Sequence, residues 1–67
     1  MMMMNVAIPE QWDVVDHATG KVYLEAGTAK DADAWTEAFL DSLDFEFVEL
    51  HNYETETGIT VNVIFVK

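Results

Sequence analysis

The chain has 67 residues, 13 of them Asp or Glu against three Lys and no Arg, giving a formal charge of −10. A body so charged repels nucleic acid and anionic lipid headgroups and is drawn to basic protein surfaces. The apolar share of 51%, with eight aromatic residues (two Trp, two Tyr, four Phe), is too high for a disordered acidic segment. The lack of cysteine excludes disulfides and thiolate metal sites.

The expectation is one acidic α+β domain over residues 1–67, with residues 1–9 as a loose N-terminal segment. Met1 to Met4 and the following Asn5-Val6-Ala7-Ile8 lack a basic leader, a long h-region and a small-residue cleavage site. They read as start-site ambiguity or a loose cap on the core, and not as a signal peptide. No run approaches the roughly 20 apolar residues of a bilayer span, so the expected location is cytoplasmic. A domain this small buries only about 60% of the surface its unfolded chain exposes, which implies modest stability.

Gln11 to Val15 reads as a strand with Trp12 and Val14 on one face. Asp16 to Lys21 is a turn in which Asp16 can bond the following backbone and Gly20 supplies a positive φ. Val22 to Ala26 resumes the alternation, with Val22, Leu24 and Ala26 expected inward and Tyr23 and Glu25 outward. After Gly27 the period changes. Thr28 with Asp31 forms an acidic capping box, and Ala32, Trp35, Phe39, Leu40 and Leu43 recur at helical spacing. That stripe predicts a helix from about Ala29 to Leu43.

Phe45 to Tyr53 predicts a strand whose parity breaks at Val48, as a bulge would cause. Glu54 to Gly58 is a second turn, again closed by Thr-Gly. Ile59 to Val66 is the clearest strand, with Ile59, Val61, Val63 and Phe65 on one face and Thr60 and Asn62 on the other. The order ββαββ predicts a four-stranded antiparallel sheet with one amphipathic helix packed on one face, since each layer has an apolar side to hide. If Ile59–Val66 lies at an edge, it would offer a route to a homodimer.

Charge is most ordered along the helix. Asp33, Glu37 and Asp41 are spaced four apart and Asp44 follows three later, one stripe opposite or beside the Trp35/Phe39 face. Successive members rise about 6 Å along the axis, of the same order as phosphate spacing along a nucleic-acid strand. Like charges at this spacing cost a helix roughly 0.2–0.5 kcal/mol per pair, and Lys30 is the only nearby cation. Glu46 and Glu49 beyond the helix, and Glu54 and Glu56 in the second turn, would extend the array.

Three readings compete: a solvated face serving solubility, adaptation to high salt, and a phosphate-like surface for a basic groove. The abundance of large apolar residues tells against the salt-adapted reading. In size, charge, lack of cysteine and an acidic helix on a small sheet, the whole chain resembles the small acidic inhibitors of phages and mobile elements, anti-CRISPR proteins in particular. That resemblance implies a DNA mimic acting on a host complex from within the host cytoplasm. It carries over no family residue, because no diagnostic motif accompanies it.

Catalytic chemistry is thin. His17 beside Asp16 and His51 are the only candidate bases; no cysteine exists, and Ser42 falls late in the helix, so a nucleophilic triad is not expected. Asp31 and Asp33 point about 200° apart on a helix and cannot converge on one ion, and the glycine and spacing of a calcium loop are missing. Weak divalent binding by the carboxylates is expected, with no dedicated metal site and no cofactor. Neither a glycine-rich phosphate loop nor a basic-aromatic patch is present. Trp35 and Phe39 read as core, and Trp12 and Tyr53 as marginal aromatics able to anchor a partner.

These residues predict a non-enzymatic inhibitor that blocks a basic nucleic-acid-binding protein through Asp33, Glu37, Asp41 and Asp44, with Glu46, Glu49, Glu54 and Glu56 in support. It would contact neither nucleic acid nor membrane directly. The alternative is a small structural or assembly module of a phage or a salt-adapted microbe, its acids serving solubility.

Overall fold

The computed structural model describes residues 9–67; the expectations for residues 1–8 lie outside the described residues. Two hairpins flank one helix: β1 (Glu10–Asp16), β2 (Val22–Gly27), α1 (Ala29–Phe39), β3 (Phe47–Glu54) and β4 (Thr60–Val66). The α+β class, the ββαββ order and the helix on one face of a four-stranded sheet are all present.

Both hairpins close as their turn residues dictate. At the first, the Asp16 carboxylate accepts from the Thr19 amide and hydroxyl, each at 2.7 Å, and Gly20 takes φ 78°. Those bonds hold the Asp16 carboxyl below its ordinary pKa, the Thr19 hydroxyl contributing most. At the second, the Thr55 hydroxyl accepts from the Ile59 amide at 3.1 Å and Gly58 takes φ 85°. A type of turn that needs positive φ takes glycine because a Cβ would be strained there.

The sheet order is β2-β1-β4-β3, with β1 and β4 parallel and the outer pairs antiparallel. The sheet is therefore mixed and not wholly antiparallel, and β4 is central and not an edge. Its own sequence gives the reason. Val61, Val63 and Phe65 line one face, but Ile64 and Val66 stand with Asn62 on the other, so the strand is apolar on both sides. Such strands are driven to the middle of a sheet, where neighbouring strands shield their side chains on both sides. The neighbour it gains there is β1, which pairs along all seven residues from Glu10 to Asp16.

α1 lies over the face that carries Val14, Ile64 and Val66, and Ala32 completes that core. Trp12, Tyr23, Leu24, Trp35, Leu40 and Phe45 pack around it. The inward face of β4 is thus the Ile64/Val66 side, the opposite parity to the Val61/Val63/Phe65 pattern. In β2, register shifts at Trp12/Val14 and Val14/Val15 place extra residues in the strand. Tyr23 consequently turns to the helix side, 5.9 Å from Trp35 and 5.0 Å from Phe45 between ring centres, while Val22 is 48% exposed. One of these irregularities sets Ala26 at φ 55°, its amide donating to Asp13 Oδ1 at 2.7 Å. β3 carries the bulge expected at Val48, between Phe47 and Glu49.

The helix begins as its residues require: Thr28 Oγ1 accepts from the Asp31 amide at 3.0 Å, and Asp31 Oδ2 accepts from the Thr28 amide at 2.9 Å. It ends earlier than the apolar stripe implies. After the cap at Leu40, the Leu43 amide donates to Leu40 O and the Asp44 amide to Phe39 O, the paired bonds of a Schellman ending. Leu43 occupies the left-handed position, φ 66°, where glycine is usual. Its side chain is 87% exposed and not part of the core, because the left-handed residue leaves the helical path before the stripe can complete another turn.

Candidate acidic binding surface

α1 packs on β1 and β2 and leaves its other side to solvent. Asp33 and Glu37 project from that exposed side, Thr36 Oγ1 bonding the Asp33 carbonyl between them. Asp41 and Asp44 continue the line in the turn after the helix, with Asp44 Oδ2 accepting from Ser42 Oγ at 3.0 Å. Residues 28–46 hold six carboxylates (Asp31, Asp33, Glu37, Asp41, Asp44, Glu46) and one lysine, a local net charge of −5. Among the described residues, Asp33, Glu37, Asp41 and Asp44 have no cation within ion-pair distance. Asp31 is committed to the cap, and Glu46 is 3.7 Å from the Lys67 ammonium.

The remaining predicted site residues are dispersed. Glu46 joins the stripe's end, since its backbone pairs with Lys67 in both directions and extends the β3/β4 ladder. Glu49 does not: it is paired with Phe65, on the sheet face turned away from α1. Glu54 and Glu56 lie at the far end of β3 and in the following turn, Glu54 about 27 Å from Glu46 at the usual strand rise. Asp33 and Glu37 thus lie on α1, Asp41, Asp44 and Glu46 in the segment that joins it to β3, and Glu49, Glu54 and Glu56 on β3 and in the second turn.

Two features were not read from the sequence. Around Phe65, His17 and His51 stand edge-on at 5.9 and 5.5 Å, and their Nε2 atoms lie 3.8 and 3.1 Å from Glu49 Oε1. The Glu49/His51 part was legible, because residues two apart on a strand share a face. His17 arrives only through the first turn, whose amide at His17 donates to Val66 O at 2.8 Å. The second feature is the apolar tip at the end of the acidic stripe. Leu43 and Phe45, with Asp44, Glu46 and Lys67, line an open cleft of about 390 Å³ there. It is too shallow to enclose a small molecule, and it sets apolar contact area beside carboxylates.

Trp35 packs against the core as expected, and Phe39, 37% exposed, stacks on it at 4.8 Å. Tyr53 is 57% exposed on β3, whereas Trp12 packs against the core. Among the described residues no group of three or more His, Asp or Glu side chains is placed to hold a metal ion, and no helix is long and apolar enough to cross a membrane. No family model matches the chain, and no curated protein or solved structure matches it either.

Proposed function

We propose that the protein is a non-enzymatic, cytoplasmic inhibitor that docks the acidic side of α1 onto a basic nucleic-acid-binding protein, such as a CRISPR effector complex, and excludes its nucleic acid. The observation that supports this reading is the set of carboxylates without a cation partner among the described residues: Asp33 and Glu37 at helical spacing on the exposed side of α1, and Asp41 and Asp44 in the turn that follows it. Sequences free to choose would alternate sign on such a face, since each like pair costs a few tenths of a kcal/mol. Opposed to lysines and arginines, the same line gives fast, salt-sensitive association, and apolar contacts at its rim set the lifetime. Docking of this kind needs no cofactor and no direct contact with nucleic acid or membrane.

The test is displacement of labelled DNA from purified CRISPR effector complexes, read by fluorescence anisotropy as the protein is added. Stoichiometric displacement that weakens with salt supports the reading. Reversal of Asp33, Glu37 and Asp41 to Lys should abolish displacement while leaving the far-UV circular dichroism unchanged. A triple variant that stays folded and still displaces DNA refutes the role of the stripe.

The exposed Phe47, Leu50 and Tyr53 on β3, at 57%, 46% and 57%, favour a second reading, an assembly module with an apolar contact surface. Binding by that route would survive both high salt and the triple reversal.

A further inference from the structure

We infer that Leu43 is the apolar anchor of the acidic docking face, and that the partner there is a cationic segment with apolar side chains between its Lys and Arg residues. This rests on the docking reading above and specifies the chemistry of its partner. Leu43 is held at φ 66°, a left-handed conformation that is strained for any residue with a Cβ. In both hairpin turns the chain gives such positions to glycine, at φ 78° and 85°. Here it keeps a leucine that is 87% exposed and takes no part in the core. The Schellman bonds at Leu43 and Asp44 use backbone atoms alone, so the helix ending does not call for that side chain. Strain that the fold does not require points to a functional position.

The surroundings of Leu43 specify the partner. Leu43 lines the open cleft together with Phe45, whose ring centre lies 5.8 Å from that of Phe39, itself 37% exposed. These three side chains form an apolar spot where α1 ends. Asp41, Asp44 and Glu46 flank it along the chain, and the last turn of α1 holds no basic residue to oppose the negative end of the helix. Among the described residues no cation lies within ion-pair distance of Asp41 or Asp44, and the Lys67 ammonium stands 3.7 Å from Glu46. A purely apolar partner would bury these carboxylates unpaired. A uniformly cationic one would press charges against the apolar spot and strip their water. Aliphatic or aromatic side chains framed by cations satisfy both parts at once.

The carboxylates and the leucine then do different work. Attraction by the acids speeds encounter and fades as salt screens it, whereas burial of Leu43 and Phe45 slows dissociation and persists in salt. Truncating a buried anchor weakens an interface by on the order of tenfold or more. Glycine at position 43 therefore loosens the complex while relieving strain in the free protein. Binding and folding respond with opposite sign, so lost binding is not explained by lost fold.

The test uses two peptides of equal length and charge, one alternating Arg with Leu and the other Arg with Ala, titrated against the full chain by fluorescence anisotropy and NMR. The Arg-Leu peptide should bind about tenfold more tightly and shift the Leu43 methyl and Phe45 ring signals. Leu43→Gly should remove that preference and leave the affinity for the Arg-Ala peptide as it was. Leu43→Ala should lose the preference as well, which keeps the result independent of glycine's backbone freedom. Equal binding of the two peptides overturns the inference. So does a preference that survives Leu43→Gly, the outcome expected if the exposed Phe47, Leu50 and Tyr53 receive the leucines instead. Both of these results leave the docking reading standing where the Arg-Ala peptide binds and the reversal of Asp33, Glu37 and Asp41 abolishes it. Failure of both peptides to bind in low salt overturns the docking reading and the anchor together.

Discussion

Replacing Leu43 by glycine should stabilise the protein, although it deletes a large apolar side chain. Leu43 is held at φ 66°, where an L-residue's Cβ crowds the following carbonyl at a cost of about 1–2 kcal/mol. With 87% of the residue exposed, the part it buries contributes only about 0.3 kcal/mol. Glycine removes the crowding and keeps both Schellman bonds, from the Leu43 amide to Leu40 O and the Asp44 amide to Phe39 O. Against this stands the larger entropy that glycine loses on folding, about 0.4–1 kcal/mol. The central balance is a gain of about 0.5 kcal/mol, for a domain whose whole stability should be about 3–10 kcal/mol.

For a domain of this size that gain raises the melting temperature by about 2–4 °C, readable by circular dichroism or differential scanning fluorimetry. Leu43→Ala is the informative control: it removes the same exposed side chain but keeps the Cβ, so the crowding persists and no comparable rise follows. A glycine variant that melts at or below the parent temperature refutes the argument. So does an alanine variant that gains as much as glycine, because the gain would then come from lost apolar exposure and not from the backbone.

Thr28→Ala removes the acceptor for the Asp31 amide and breaks the reciprocal cap, and should cost about 0.5–2 kcal/mol, seen as a lower urea midpoint with an unchanged slope. The Asp16 carboxyl, held by the Thr19 hydroxyl and amide, should titrate below the ordinary aspartate value of 3.8 in an NMR pH series, and Thr19→Ala should move it back toward that value. Because the folded pKa is depressed, its contribution to the first hairpin is present above pH 3.8 and disappears as pH falls through the folded value; an Asp16 signal that does not move in Thr19→Ala would contradict this assignment. The triple reversal of Asp33, Glu37 and Asp41 to Lys exchanges carboxylate neighbours for ammonium neighbours at the same spacing, reduces the overall negative charge and does not touch the core, so the melting temperature in low salt should hold even as partner binding is lost.

What the sequence alone determined was local. The turns at Asp16–Lys21 and Thr55–Gly58 follow from side chains that bond their own backbone and from glycines that accept positive φ. The capping box at Thr28 and Asp31 and the bulge at Val48 were equally legible, because they depend on residues a few positions apart. So was the Asp33/Glu37 part of the acidic stripe, which needs only the helical period; Asp41 and Asp44 fall beyond the end of α1. Strand order was not, because pairing β1 with β4 joins residues some 50 positions apart, beyond the reach of any local pattern. That one choice places β3 at the edge and α1 over β1 and β2, and it turns Glu49 to the far face beside His17 and His51. It also parts Glu54 and Glu56 from the helix acids, whose spacing in sequence says nothing about distance across a sheet. Local propensity decides which segments form strands and helix, and competition among apolar faces for the same buried space decides how they assemble.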